Sequence, residues 1–164
     1  VNPLSPPLGT GAIWFWRLDM ARHAGTWASG EGAFQVGGRW NPPGLRCVYA
    51  ALDPATATLE VAVHKGFHVL DSQPHILTRA HIPDPALIHV VHPQDVPNPH
   101  WLVPCTPNAN QQAFGAALLA RHAFVLIPSA VSRHCWNLIF SPRDDAAYTD
   151  VQQERFAQDP RLPR

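Results

Sequence analysis

Short apolar stretches of strand length arrive in runs, with only two clear helical stretches among them, and this order constrains the fold of the chain more than any other feature. Ala12 to Arg17 alternates, with Trp14 and Trp16 on one side and Ile13, Phe15 and Arg17 on the other, which is the period of a strand. Leu45 to Ala51 predicts a second strand, and Ile76 to Ile82 and Ala86 to Val91 predict two more. Ala123 to Pro128 and Trp136 to Phe140 are continuous apolar runs, the pattern of fully buried strands. The first helix has a strong start, Asp53 as N-cap and Pro54 at the first helical position. Ala55, Thr58, Leu59, Ala62 and Val63 then recur at helical spacing until Gly66 closes the segment, so Glu60 lies on a helix beside its apolar stripe. A second helix is predicted from Asn110 to His122, with Ala113, Phe114, Ala117 and Leu118 inward. Strands in runs, without regular βαβ alternation, specify an α+β fold with central β-sheets flanked by a few helices.

The connections are of three kinds. Arg22 to Gly38 is punctuated by Gly and Ser without a sustained period and is too long for a hairpin; it reads as a loop that orders over a ligand or one that is merely floppy. Pro93 to Pro107 is a Pro-rich connection, and the tail from about residue 143 is polar, with one short helix near Asp150 to Phe156. With a Pro-rich lead over residues 1–11, the 164 residues make a single domain, long enough to bury a core without disulfides or metals.

Charge and cysteine content narrow the function. Twelve basic and twelve acidic residues cancel, so no large positive field gathers phosphate backbones, and direct nucleic-acid binding is not expected. Cys47, Cys105 and Cys135 are odd in number and widely spaced, which suggests neither a disulfide framework nor a zinc site and fits a reducing cytoplasm. The lead lacks the basic start and apolar stretch of an export signal, and nowhere do eighteen apolar residues follow one another, so neither export nor membrane insertion is expected. His64 and His68 are four apart but interrupted by Gly66, and His89 and His92 lack a third ligand, so no catalytic metal is expected. A cysteine nucleophile is disfavoured, because Cys47 sits in an apolar strand and Cys135 has His134 only as a chain neighbour. Neither a G-x-G-x-x-G fingerprint nor a phosphate-binding P-loop occurs.

The most distinctive string is Gly37-Gly38-Arg39-Trp40-Asn41-Pro42-Pro43-Gly44. Its glycines free the backbone, Arg39 offers a planar cationic fork and Trp40 an aromatic face, so the loop suits an anionic, aromatic ligand. A tight turn with a Trp plug and a surface arginine has the same composition. Together with Trp16-Arg17 before it, and Val48-Tyr49, Leu59-Glu60 and Pro128-Ser129 after it, the order and approximate spacing resemble the RES domain, a family named for its arginine, glutamate and serine. The resemblance runs from about Trp16 to about Pro142. It implies a bacterial toxin of ADP-ribosyltransferase-like fold that uses NAD as its substrate, held in check by an Xre-like helix-turn-helix antitoxin. Some such toxins deplete NAD and others modify a protein target.

The chemistry the resemblance implies suits these residues. Cleaving the nicotinamide–ribose bond passes through an oxocarbenium-like state that a nearby carboxylate stabilises, and nicotinamide leaves a cationic nitrogen without needing a proton. One glutamate therefore suffices, and Glu60 is the candidate; its bland alternative is an exposed helical residue paired with His64 one turn on. Arg17 and Arg39 would hold the pyrophosphate or ribose hydroxyls, with Trp40 and Asn41 beside them in the loop. Tyr49 would stack on a ring of NAD and turn its hydroxyl inward, or is a core tyrosine with a satisfied hydroxyl. Ser129 would complete the pocket, or caps a turn. Asn137 could hydrogen-bond nearby, while Ser141-Pro142 stands where the family more often has Asn-Pro. A non-catalytic module that binds NAD or a partner protein is the reading from another class; it would have no need of the glutamate.

Overall fold

Asp53 starts the helix that carries Glu60 by local chemistry alone. Its carboxylate accepts from the Thr56 amide and the Thr56 hydroxyl, each at 2.7 Å, and Pro54 fills the first helical position without an orphaned N–H. This helix, Pro54–Lys65, ends at Gly66, whose φ of 84° takes the chain out of the helix while its N–H bonds the Ala62 carbonyl. A short helix, Phe67–Ser72, follows immediately. The computed structural model describes residues 5–6, 8–9, 11–104, 107–143, 147–159 and 161; Cys105 and most of the Pro-rich lead lie outside them.

In chain order the strands are β1 Ile13–Met20, β2 Val48–Ala51, β3 His75–Ile82, β4 Ile88–Val90, β5 Phe124–Pro128, β6 Trp136–Phe140 and β7 Thr149–Phe156. The α-helices are α1 Glu31–Val36, α2 Pro54–Lys65, α3 Phe67–Ser72 and α4 Ala109–Arg121. All seven strands join one sheet in the order β4-β5-β6-β2-β1-β3-β7, with β4 parallel to β5 and the other pairs antiparallel. The α+β expectation holds, with a single sheet where several were expected.

Both faces of the sheet centre are covered, which explains the unbroken apolar runs of β5 and β6. Phe124, Leu126, Leu138 and Phe140 join Phe15, Val48 and Ala50 in one core cluster, lined by Trp27 and Tyr148. Val125, Ile127 and Ile139 point the other way, to Leu118 and Leu119 of α4 and to Trp40. Burying such a side chain contributes about 1.5–3 kcal/mol, so this centre anchors the fold. Leu18, Ala62 and Leu70 form a third cluster that seats α2 and α3.

Several local expectations are corrected. The region from Arg22 to Gly38 is not one loop: a 3-10 turn, Ala21–Thr26, and α1 lie in it, each six residues long and too short to display a period. The tail segment 150–156 is not a helix but β7, held by its register with β3 and by Arg79 bonding Gln152 rather than by apolar content of its own. On α4 Leu118 is buried and Phe114 packs against the core as expected, but the other inward residues are Gln111, Gly115 and Leu119, with Ala113 and Ala117 exposed. The inward side of α2 is Thr56, Ala57 and Ala62, which leaves Ala55, Leu59 and Val63 outside. Cys47 precedes β2 rather than sitting in it.

One feature of the sheet prepares the site. β1 pairs with β3 at every position from Ile13 to Met20, but with β2 only at Trp16↔Ala51. Past Trp16 the ladder between β1 and β2 stops, and backbone groups of β2 are free to meet side chains.

Candidate active site

Arg17 sits where that ladder stops. Its Nη1 donates to the Tyr49 carbonyl at 2.6 Å, taking the place of a strand partner, while Nε and Nη2 bind both carboxylate oxygens of Asp19 at 2.8 and 2.7 Å. Residues two apart on a strand share a face, so the Arg17-x-Asp19 spacing was a legible signal that the sequence reading missed. Three of the five guanidinium donors are thereby taken, and the fork is held flat with its side chain 28% exposed. An arginine fixed in this way can offer its remaining donors to an anion.

Glu60, on α2, meets two residues from the far half of the chain. Its Oε1 accepts from the Ser129 hydroxyl at 2.9 Å and from Asn137 Nδ2 at 2.5 Å. Ser129 is fully buried just past β5, and its oxygen accepts from the backbone N–H groups of Val131 and Ser132, so its one proton is committed to Glu60. Ser129 thus caps the turn after β5 through its oxygen and holds the glutamate through its proton. The other carboxylate oxygen, Oε2, lies 3.7 Å from Nε2 of the exposed His64. One oxygen is anchored and the other faces outward.

Both groups are tied to β2. Asn137 is registered opposite Ala51, and the carbonyl that Arg17 holds belongs to Tyr49, two positions away, about 7 Å along a strand. No ion pair joins Arg17 to Glu60 among the described residues.

The glycine-rich string forms a third group, around Tyr49, which shares a face of β2 with Ala51. Tyr49 donates its hydroxyl to Asn41 Oδ1 at 2.7 Å and accepts from the Trp40 amide at 3.1 Å; burial pushes the phenol far above its usual pKa, so it stays a donor. Asn41 is fully buried, and its Nδ2 donates to the carbonyls of Ala33, Pro42 and Leu45. Trp40 is 2% exposed and packs in the core against Phe114. Gln112 of α4, which the sequence reading passed over, donates to the carbonyls of Gly38 and Asn41. Gly38 has no room for a side chain, since a Cβ there would lie 2.5 Å from the Tyr49 hydroxyl. These contacts fix the loop from inside and leave Arg39 as its partly exposed cation, with Nη1 on the Trp101 carbonyl.

Ser141 and Pro142 stand apart from all three groups. They line a cavity of about 240 Å³ with Phe124, Phe140 and Tyr148, on the sheet face opposite Asn137. Cys47 is buried and its thiol is pushed up to about 12 by desolvation, which leaves no nucleophile there at neutral pH. Among the described residues no three His, Cys, Asp or Glu side chains are grouped so as to hold a metal ion. Nor does any described helix have the length and apolar content to cross a membrane.

Comparison with known proteins adds the lineage. The family model for the RES domain matches residues 15–164. A protein of Pseudomonas putida called Toxin Res is 33% identical over 139 residues, covering 82% of this chain and 91% of its own. The Prs ADP-ribosylating toxin of a Sphingobium species is 32% identical over 158 residues, covering 92% and 96%. Among solved structures, a chain from the crystal structure of the M. tuberculosis MbcT–MbcA toxin–antitoxin complex superposes with a TM-score of 0.63 at 21% identity, over 88% of this chain and 84% of that one.

Proposed function

The chain belongs to the RES domain family, and from that premise we propose that it is an NAD-consuming toxin of a toxin–antitoxin pair that breaks the nicotinamide–ribose bond. The observation that carries this reading is the carboxylate of Glu60, pinned at Oε1 by Ser129 and Asn137 and presenting Oε2 outward. A fixed negative charge of that kind stabilises an oxocarbenium-like ribose as the C–N bond breaks, without reorganising at the moment of reaction. The bonding pair leaves with nicotinamide, whose ring nitrogen goes from cationic to neutral, so no acid is required. The acceptor's oxygen then attacks the ribose carbon and loses its proton.

Arg17, braced by Asp19, and Arg39, held by its loop, bind the pyrophosphate and neighbouring hydroxyls through charge-assisted hydrogen bonds. Trp40, Asn41 and Tyr49 serve the substrate by holding the loop that positions Arg39, with the Tyr49 ring left to flank a base. Residues 1–164 act as a single domain in the cytoplasm, where NAD is found. Relatives called Toxin Res and a structural neighbour crystallised with its antitoxin support a partner that silences the enzyme. That partner is an Xre-like helix-turn-helix antitoxin covering the segment from Arg22 to Gly38. A small helix-turn-helix gene beside the toxin gene supports this pairing, and its absence counts against it.

Water and phosphate are the first acceptors. A second reading, transfer of ADP-ribose to a cellular protein, is favoured by the relative called a Prs ADP-ribosylating toxin. Purified protein incubated with adenine-labelled NAD separates the two: free nicotinamide with label left in small molecules marks NAD cleavage, and label bound to a protein marks transfer. No nicotinamide release with water, phosphate or cell extract as acceptor would refute both.

A further inference from the structure

Asn137 is the one polar residue in the strand Trp136–Phe140, whose five positions are all buried. Its side chain is spent in an unusual way. Nδ2 bonds Glu60 Oε1 at 2.5 Å, yet Oδ1 is buried and has no hydrogen-bond partner. A buried acceptor left unpaired costs about 1–3 kcal/mol, so for the fold alone an apolar side chain would serve better at this position. The amide cannot turn over to relieve the cost, because Oδ1 would then face the carboxylate. Its sole bond goes to the group that the proposed reaction depends on.

The rest of the geometry agrees. Register with Ala51 fixes the Asn137 backbone in the sheet interior, so its amide is a rigid donor, unlike one on a loop. Ser129 supplies the second donor to the same oxygen from the next strand, past its end. Two donors at an angle fix both the position and the rotation of a carboxylate, whereas one leaves it free to swing about a single bond. Glu60 is a flexible side chain on a helix surface, and its other neighbour, His64, is exposed and 3.7 Å away. Without Asn137 the orientation of Oε2 would rest on Ser129 alone.

We propose that Asn137 is a positioning residue that acts on the reaction through Glu60, locking Oε1 so that Oε2 faces the ribose, and is not a ligand of NAD. This rests on the NAD reading of the site. Asn137→Leu keeps the branched shape and number of heavy atoms and removes both the bond and the orphaned acceptor. The expected result is a kcat lower by about ten- to a hundredfold, as for a misplaced catalytic group, with KM for NAD little changed and a melting temperature equal to or above that of the parent. A purely structural asparagine would give the reverse, a lower melting temperature with kcat kept. A raised KM at unchanged kcat would overturn the proposal in favour of direct NAD contact. Should the leucine variant not fold, Asn137→Ala is read by kcat and KM alone, since the cavity it leaves lowers the melting temperature in either case.

A second measurement does not depend on turnover. In NMR spectra the side-chain amide of Asn137 should show one proton shifted downfield and slow to exchange, and Glu60→Ala should abolish both properties. Identical amide resonances in parent and Glu60→Ala would overturn the contact itself. If the parent releases no nicotinamide, the NAD reading falls, and the amide resonances alone decide whether Asn137 holds Glu60.

Discussion

Gly115 lies in the middle of α4, where replacing glycine by alanine ordinarily stabilises a helix by about 1 kcal/mol. Here the sign should invert. A Cβ at this position would lie 2.0 Å from the Trp40 carbonyl oxygen and 2.8 Å from its carbon, where real Cβ atoms stay beyond 3.0 Å, so helix and loop must separate by at least about 1 Å. The obstacle is backbone, and it cannot be relieved by a rotamer change. Overpacking of this kind costs about 1–3 kcal/mol. Separation also stretches the bonds from Gln112 Nε2, one turn earlier, to Gly38 O at 2.8 Å and Asn41 O at 3.1 Å, each worth about 1 kcal/mol. Set against the helix gain, the net loss is about 2–4 kcal/mol. At about 2–4 °C per kcal/mol for a chain of this size, Gly115→Ala should lower the melting temperature by roughly 4–16 °C in calorimetry. Arg39 precedes Trp40, so kcat/KM for NAD should fall as well. A Gly115→Ala protein that melts at or above the parent temperature would refute the close approach of α4 and the loop, and with it the account of how Arg39 is held.

Two further outcomes follow from buried polar groups. Tyr49→Phe leaves the Asn41 Oδ1 acceptor and the Trp40 amide without their partner, and should cost about 1–3 kcal/mol, read as a lower midpoint in urea; an unchanged midpoint would mean that the hydroxyl does not pin the loop. Cys47 has its thiol raised to about 12 by burial, so it stays protonated, and peptide mapping after iodoacetamide treatment of the native protein at pH 7.5 should find it unlabelled until denaturant is added. Rapid native labelling would contradict the packing around β2.

Legibility in the sequence followed the range of the interactions. α2 was readable because an Asp cap, a proline and a terminal glycine act within a turn of one another, and β5 and β6 because burial on both faces leaves an apolar run. β7 was not, because the mostly polar segment Asp150 to Arg155 shows no strand pattern of its own and is held by pairing with β3. The inward face of α4 was legible only at Phe114 and Leu118, because the rest is chosen by Gly115 against Trp40 and by Gln111, which accepts from Asn98, and neither partner is near in sequence. The same division runs through the site. Glu60, Ser129, Arg17 and Arg39 were singled out by resemblance, but the meeting of Glu60 with residues 69 and 77 positions away depends on the order of strands in the sheet. For the loop the sequence leaves a ligand-facing aromatic or a Trp plug open, and burial of Trp40 and Asn41 against distant partners decides for the plug, while the Tyr49 hydroxyl turns inward as expected.

The most direct test of the central claim is nicotinamide release by the parent and by Glu60→Gln. The glutamine oxygen can keep both bonds that Ser129 and Asn137 make to Oε1, so the change removes charge from the outward position and leaves the anchor in place. The variant should bind NAD as the parent does while releasing nicotinamide at least about a hundredfold more slowly, the loss of about 2.7 kcal/mol of transition-state stabilisation. Release at the parental rate by the folded variant would contradict the account, because the reaction would then not depend on the charge that the site is built to hold.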